Sequence, residues 1–185
     1  HYGQINGSVD DIIPQYRRIA GAIHAHGAVC TIQLRHGGRQ ERWDHDQWLP
    51  AFSPSTTREL NFGVFAAEME DHDIARAQRD FVAAVRRARD GDIDGVEIAC
   101  QSGALIEQFW SPAMNYRTDR YGGSLENRMR FGLEVLEAVR QDIGDDYVVG
   151  IRMSGDEMLR GGLNQDDCIA IAKIYASSGL IDFIS

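Results

Sequence analysis

Apolar positions along the chain follow two alternating periods. Residues 11–26 space Ile12, Ile13, Tyr16, Ile19, Ala20 and Ile23 at helical intervals, which predicts an amphipathic helix with aspartates at its start and Gly27 as its stop. Residues 28–34, AVCTIQL, then form a short run rich in β-branched side chains and read as a buried strand. The same succession recurs. A helix over roughly 71–90 carries Ile74, Phe81, Val82, Val85 and Ala88 on one face, with Asp71 as N-cap and Gly91 as terminator, and leads into the strand IDGVEIA at 93–99. Ser124 opens a third helix, striped by Leu125, Met129, Leu133, Leu136 and Val139; Gly144 closes it ahead of YVVGIRM at 147–153. Asn164, with Asp166 and Asp167 favourably placed against the helix dipole, opens a fourth helix that ends near Gly179, before a last strand at 180–184.

The order αβαβαβαβ implies parallel strands joined by helical crossovers. Connections from helix to strand are short, whereas those leaving strands, at residues 35–70, 100–123 and 154–163, are long. Both barrels and open parallel sheets build their sites on that side. No strand leads through GxGxxG into a helix and there is no P-loop, so a Rossmann sheet is disfavoured and a barrel-like arrangement preferred. Nothing marks a repeat, a low-complexity tract or a domain boundary. A (β/α)8 barrel usually takes ~250 residues. At 185 residues with four strands, the chain reads as the central segment of one TIM-barrel domain, about strands 3 to 6.

The net charge of −9 disfavours a nucleic-acid partner. No apolar run approaches the ~18 residues of a membrane span, and residues 1–10 lack the features of a signal peptide. A cytoplasmic protein without membrane partners is expected. Cys30, Cys100 and Cys168 are odd in number, scattered and free of any CxxC pair, so they read as buried thiols rather than as ligands of a metal or an iron–sulfur cluster.

Candidate chemistry lies at the strand ends. Gln33, in QLRHGGR at 33–39, can donate and accept from one fixed position, as an imide edge requires. Arg152, in VGIRMSGDE at 149–157, is a permanent cation that suits an anionic or electron-rich partner such as a reduced flavin. A purely structural reading stands beside this one, with Gln33 capping loop amides and Arg152 paired to Glu97 or Asp156.

The loop QFWSPAMNYRTDRYGGSLENRMRF at 108–131 is more specific. With QLRHGGR, DGVEI, VGIRMSGDE and GGL at 161–163, it resembles the old yellow enzyme family of FMN-dependent NADH:flavin oxidoreductases in order and spacing, over essentially the whole chain. EMEDHDIARAQRDF at 68–81 is similar to the branch containing dienoyl-CoA reductase, trimethylamine dehydrogenase and N-methyl amino acid demethylases. The resemblance implies a TIM barrel, FMN as cofactor, NAD(P)H or an amine as electron donor, a small-molecule substrate, and flavin contacts from Gln33 and Arg152. It also implies that any 4Fe–4S cluster belongs to a region after residue 185.

One stretch departs from the pattern. Where relatives carry histidines or histidine and asparagine after the DGVEI strand, this chain has Ala99, Cys100, Gln101, Ser102, Gly103 and Ala104. Ala99, Gln101 and Ser102, with Trp110, are the candidate substrate-pocket residues, and no catalytic proton donor is assigned. Reduction of an activated C=C bond needs a donor to the carbonyl and a proton at the α carbon, whereas oxidation of an amine α carbon does not. Oxidative N-demethylation and C=C reduction are therefore ranked together, with a degenerate, non-catalytic barrel as the alternative. Trp43, Trp48 and above all Trp110 are candidates to cover a cavity mouth. His36 either lines the site or fixes its loop, His24 and His26 read as surface residues, and Asn115, Arg117, Asp119, Tyr121, Gly122, Gly123, Asn127 and Arg128 read as loop-folding residues.

Overall fold

A computed structural model describes residues 5–41, 50–58, 63 and 65–185. A 3₁₀ turn at Asp10–Ile12 runs into helix α1 (Ile13–His24), whose Pro14 sits in the first turn, where its missing N–H leaves no bond unmade. Strand β1 (Thr31–Leu34) follows. The long loop after it contains a small parallel pair, β2 (Phe52–Ser53) and β3 (Ala67–Glu68). Helix α2 (Asp71–Asp90), strand β4 (Gly95–Cys100), a six-residue helix α3 (Leu105–Trp110) and helix α4 (Leu125–Ile143) come next. Strand β5 (Val148–Met153), helix α5 (Gln165–Ser178) and strand β6 (Phe183–Ile184) complete the order.

Caps explain most boundaries. Ser124 accepts from the Asn127 amide and Asn164 from the Asp167 amide, while Gly179 takes the left-handed conformation after α5. At α2 the N-cap is Glu70 rather than Asp71, because Glu70 forms a reciprocal capping box with Asp73. The strands begin later than the apolar runs that announce them. Residues 28–30 and 93–94 lead in, and Asp94 there exchanges bonds with Cys30: its amide donates to the Cys30 carbonyl at 2.9 Å and its carboxylate accepts from the Cys30 amide at 2.6 Å.

The main sheet is parallel, in the order β1-β4-β5-β6. Strand order rises with sequence and never reverses, as in a barrel wall and unlike a doubly wound sheet. The chain thus forms four adjacent strands of a (β/α)8 barrel. Val96, Ile98, Cys100, Val149 and Ile151 face the helices and pack into one core with Phe81, Val85, Phe109, Phe131, Leu136 and Tyr175. Alternation along the pleat sends Gln33, Glu97, Gly150 and Arg152 to the opposite, barrel-interior face. The Phe183 ring lies over Gly150 on that face, 2.4 Å from where a β-carbon would stand. Among the described residues, no helix is long and apolar enough to cross a membrane.

Candidate active site

Register puts the sequence-predicted pair on one face of the sheet, Arg152 two residues farther along its strand than the Gly150 that is level with Gln33. Gln33 of β1 stands opposite Glu97 of β4, and Ala99 stands opposite Arg152 of β5. Gln33 Nε2 donates to Glu97 Oε1 at 2.6 Å, and Arg152 Nη1 approaches the same oxygen at 3.9 Å. The Arg152 side chain is 50% exposed and, among the described residues, makes no hydrogen bond. Its donors are therefore available to a ligand. Ala99 is buried, adds no polar group and keeps the layer above Glu97 open.

The loops over this face are sewn together by backbone and buried polar groups. Arg35 donates to the Gln101 and Ser102 carbonyls at 3.3 and 3.2 Å, and to the Gln40 amide oxygen. The Leu105 amide donates to the His36 carbonyl at 2.8 Å. Ser102 and Gly103 both have positive φ, 54° and 73°, so the chain turns back on itself after β4. Gln101 and Ser102 are brought together: the Ser102 hydroxyl donates to Gln101 Oε1 at 2.6 Å, leaving the Gln101 NH₂ as the unbonded donor of the pair. His36 fixes its loop, accepting from the Gly38 amide at Nδ1 over 3.0 Å. Burial holds its imidazole below the usual pKa and hence neutral at neutral pH.

Glu107 and Gln108 were missed by sequence reasoning, and they anchor the arrangement. They are the two polar residues of α3, both fully buried. Their signal in the sequence was adjacent polar residues inside the apolar run LIEQFW. Gln108 donates to the Gly37 and Gly103 carbonyls at 2.9 and 2.6 Å, tying the loops after β1 and β4. Glu107 accepts from the Gly103 amide and from the Ser154 hydroxyl, the latter at 2.6 Å. Burial pushes its carboxyl pKa up against those bonds. Reciprocally, Ser111 donates to Glu157 at 2.7 Å, so two carboxylates join α3 to the loop after β5. A cleft of about 230 Å³ opens between these loops, lined among others by Gln40, Ser102, Glu107, Ser154 and Glu157.

Trp110 requires a correction. Its ring is 1% exposed and packs on Tyr175, with ring centroids 5.4 Å apart. An indole enclosed between helices lines no cavity mouth; the aromatic residue was drawn into the core by the helical turn of α3, which is too short to announce itself in the pattern. Trp43 and Trp48 lie outside the described residues. The loop-folding reading of the following segment agrees with the structure. Asn115 donates to the Phe109 and Tyr121 carbonyls at 2.7 and 2.8 Å, Arg128 to the Trp110 carbonyl at 2.6 Å, and Arg117 pairs with Asp119. Cys30, Cys100 and Cys168 are free and buried, and burial raises all three thiol pKa values, Cys100 most strongly.

Comparison with known proteins turns this geometry into a relationship. Residues 6–182 match the model of the NADH:flavin oxidoreductase / NADH oxidase family. The chain belongs to that family. It is 46% identical over 182 residues to the N,N-dimethylglycine/sarcosine dehydrogenase of Chromohalobacter salexigens, covering 98% of this chain and 26% of the relative. It is 41% identical over 184 residues to the multifunctional alkene reductase/demethylase OYE of Caballeronia cordobensis, covering 100% of this chain and 27% of that protein. Among solved structures, 2-naphthoyl-CoA reductase in complex with 2-naphthoyl-CoA superposes with a TM-score of 0.90 at 29% identity, over 98% of this chain and 29% of the other. The chain therefore spans about a quarter of the length of these two relatives.

Proposed function

We propose that this segment supplies one wall of the flavin cradle of an FMN-dependent oxidoreductase that oxidises a small N-methylated amine. The observation that carries the cradle is the convergence of Gln33 and Arg152 on the Glu97 carboxylate of the barrel-interior face, beside the strand-end loops, with the guanidinium donors unbonded among the described residues. The donor set fits FMN. Gln33 offers an amide to the imide edge of the isoalloxazine ring, and Arg152 a permanent cation to the N1/O2 side that becomes negative on reduction. When bound, FMN would supply two-electron chemistry at N5, between NAD(P)H or an amine donor and an organic acceptor.

The loop after β4 favours amine oxidation over C=C reduction. Ala99 donates nothing, the Cys100 thiol is buried and held protonated, and the Ser102 hydroxyl is turned to Gln101. That leaves the Gln101 amide to orient a polar substrate, with no acidic group in the stretch to protonate an α carbon. Forming an iminium from an amine needs no such group. Similarity to a dimethylglycine/sarcosine dehydrogenase supports the same reading. The cysteines here are buried singly, so a 4Fe–4S cluster would take its thiolates from outside these residues.

The full-length gene product should copurify with a yellow chromophore, and anaerobic N-methylated amino acids should bleach it without NADH. Bleaching by NADH alone, with recovery on adding an enone, would instead establish C=C reduction. A folded, colourless protein that ignores added FMN would overturn the cradle. Arg152→Met should weaken FMN binding or lower its two-electron potential by about 30 mV, the equivalent of a tenfold change in relative affinity for reduced flavin.

A further inference from the structure

We infer that Glu97 is a positioning residue: its carboxylate sets which end of the Gln33 amide meets the flavin and moderates the charge that Arg152 presents to it. The inference rests on the cradle reading above. Glu97 Oε1 lies between the two residues, accepting from Gln33 Nε2 at 2.6 Å and standing 3.9 Å from Arg152 Nη1. A carboxylate carries acceptors only, so the amide can meet it with its NH₂ group alone. The Gln33 carbonyl oxygen is thereby left to accept from a ligand N–H, and an inverted amide would set two acceptors against each other.

The surroundings of Glu97 point to this role. It lies on the face turned away from the helix-packed core, its side chain is 15% exposed, and among the described residues Gln33 is its hydrogen-bond donor and Arg152 its charged neighbour. A carboxylate held inside a barrel is costly unless paired. Here both of its partners are the residues that face the ligand. Its negative charge offsets the guanidinium, so the two side chains should move the flavin potential in opposite directions.

The test compares FMN affinity and midpoint potential in the full-length holoprotein and its variants. Glu97→Gln should raise the preference for reduced over oxidised FMN about tenfold, or about 30 mV, whereas Arg152→Met lowers it. Glu97→Asp keeps the charge on a shorter arm. It should leave the potential near native while weakening oxidised FMN binding about tenfold, or by about 1.4 kcal/mol, because the amide is released. A normally flavinated Glu97→Gln protein with an unmoved or lowered potential overturns the inference, as does Glu97→Asp behaving like Glu97→Gln. Loss of folding in both variants would make Glu97 structural and also overturn it. A native protein without FMN affinity fails the cradle reading itself, a distinct result from an unmoved potential in an intact holoprotein.

Discussion

Arg117 is 7% exposed on its side chain yet carries a full charge, and its contacts show how single residues shape the strand-end loops. Its Nη1 donates to the Pro54 and Met69 carbonyls at 2.9 and 2.7 Å, and its Nε to Asp119 at 3.0 Å. One guanidinium thereby satisfies backbone at two distant points of the long loop after β1. Arg117→Met leaves two carbonyls without their donor and Asp119 with the Tyr121 amide alone, and is expected to cost about 3 kcal/mol in urea-unfolding free energy. His36 gives a pH dependence. Its folded-state pKa lies below the ordinary value through burial, so the unfolded chain binds more protons as pH falls through that ordinary value. Stability should therefore drop between about pH 7 and 5. His36→Asn, which keeps an acceptor near the Nδ1 position, should flatten the fall in melting temperature over that window; an unaltered profile would exclude His36 as its source. Gly103 has φ 73°, and a β-carbon there would stand 2.4 Å from the Gln40 side chain. Gly103→Ala should destabilise the turn by about 1–3 kcal/mol.

Secondary-structure elements in this chain owe their limits to side chains at their ends. The caps at Ser124, Asn164, Gly144 and Gly179 are all legible in the sequence, since each is a local relation between a residue and the next turn. Asn164→Ala should lower stability by about 1 kcal/mol, measurable as a shift in denaturant midpoint. Strand pairing adds a device that only the sheet reveals. Asp94 precedes β4 and Asp182 precedes β6, and each exchanges amide and carboxylate bonds with the strand beside it: Asp94 with Cys30, Asp182 with Val149. Each also meets a basic side chain at 2.8 Å, His24 for Asp94 and Arg140 for Asp182. The bond from His24 and then the Cys30 amide hold the Asp94 carboxyl below its usual range. For Asp182 burial acts the other way, and the Val149 and Arg140 bonds outweigh it. A pair of Ile-Asp dipeptides, at 93–94 and 181–182, thus pins the sheet at the ends where strands begin.

Taken across the molecule, the aspartate pins and the residues proposed to meet the flavin are separated along the strands. Aspartate pins lie at the amino ends, while Gln33, Glu97 and Arg152 lie on the interior face toward the carboxyl ends. This division carries its own expectation. Asp94→Asn should reduce unfolding free energy by about 1–2 kcal/mol, without changing FMN affinity in the full-length protein. Arg152→Met should do the reverse, since a half-exposed guanidinium 3.9 Å from its partner contributes little to folding. Parallel changes in affinity and stability in both variants would contradict the separation.

The alternation of helix and strand, the caps and the parallel sense of the sheet were determined by the sequence itself, because each follows from periodicity or from residues a turn apart. The motifs at 33–39 and 149–157 likewise singled out Gln33 and Arg152 as candidates before any geometry. Tertiary structure decided the rest. Whether Gln33 and Arg152 meet at one carboxylate depends on register across β1, β4 and β5, which links residues 64 and 53 positions apart. The α3 helix is one turn and a half long, too short for its period to stand out. Its formation buries Trp110, removes it from the mouth, and turns Glu107 and Gln108 inward to join three loops. Local pattern fixes what each segment becomes; which polar group answers which is set only when distant segments close on one another.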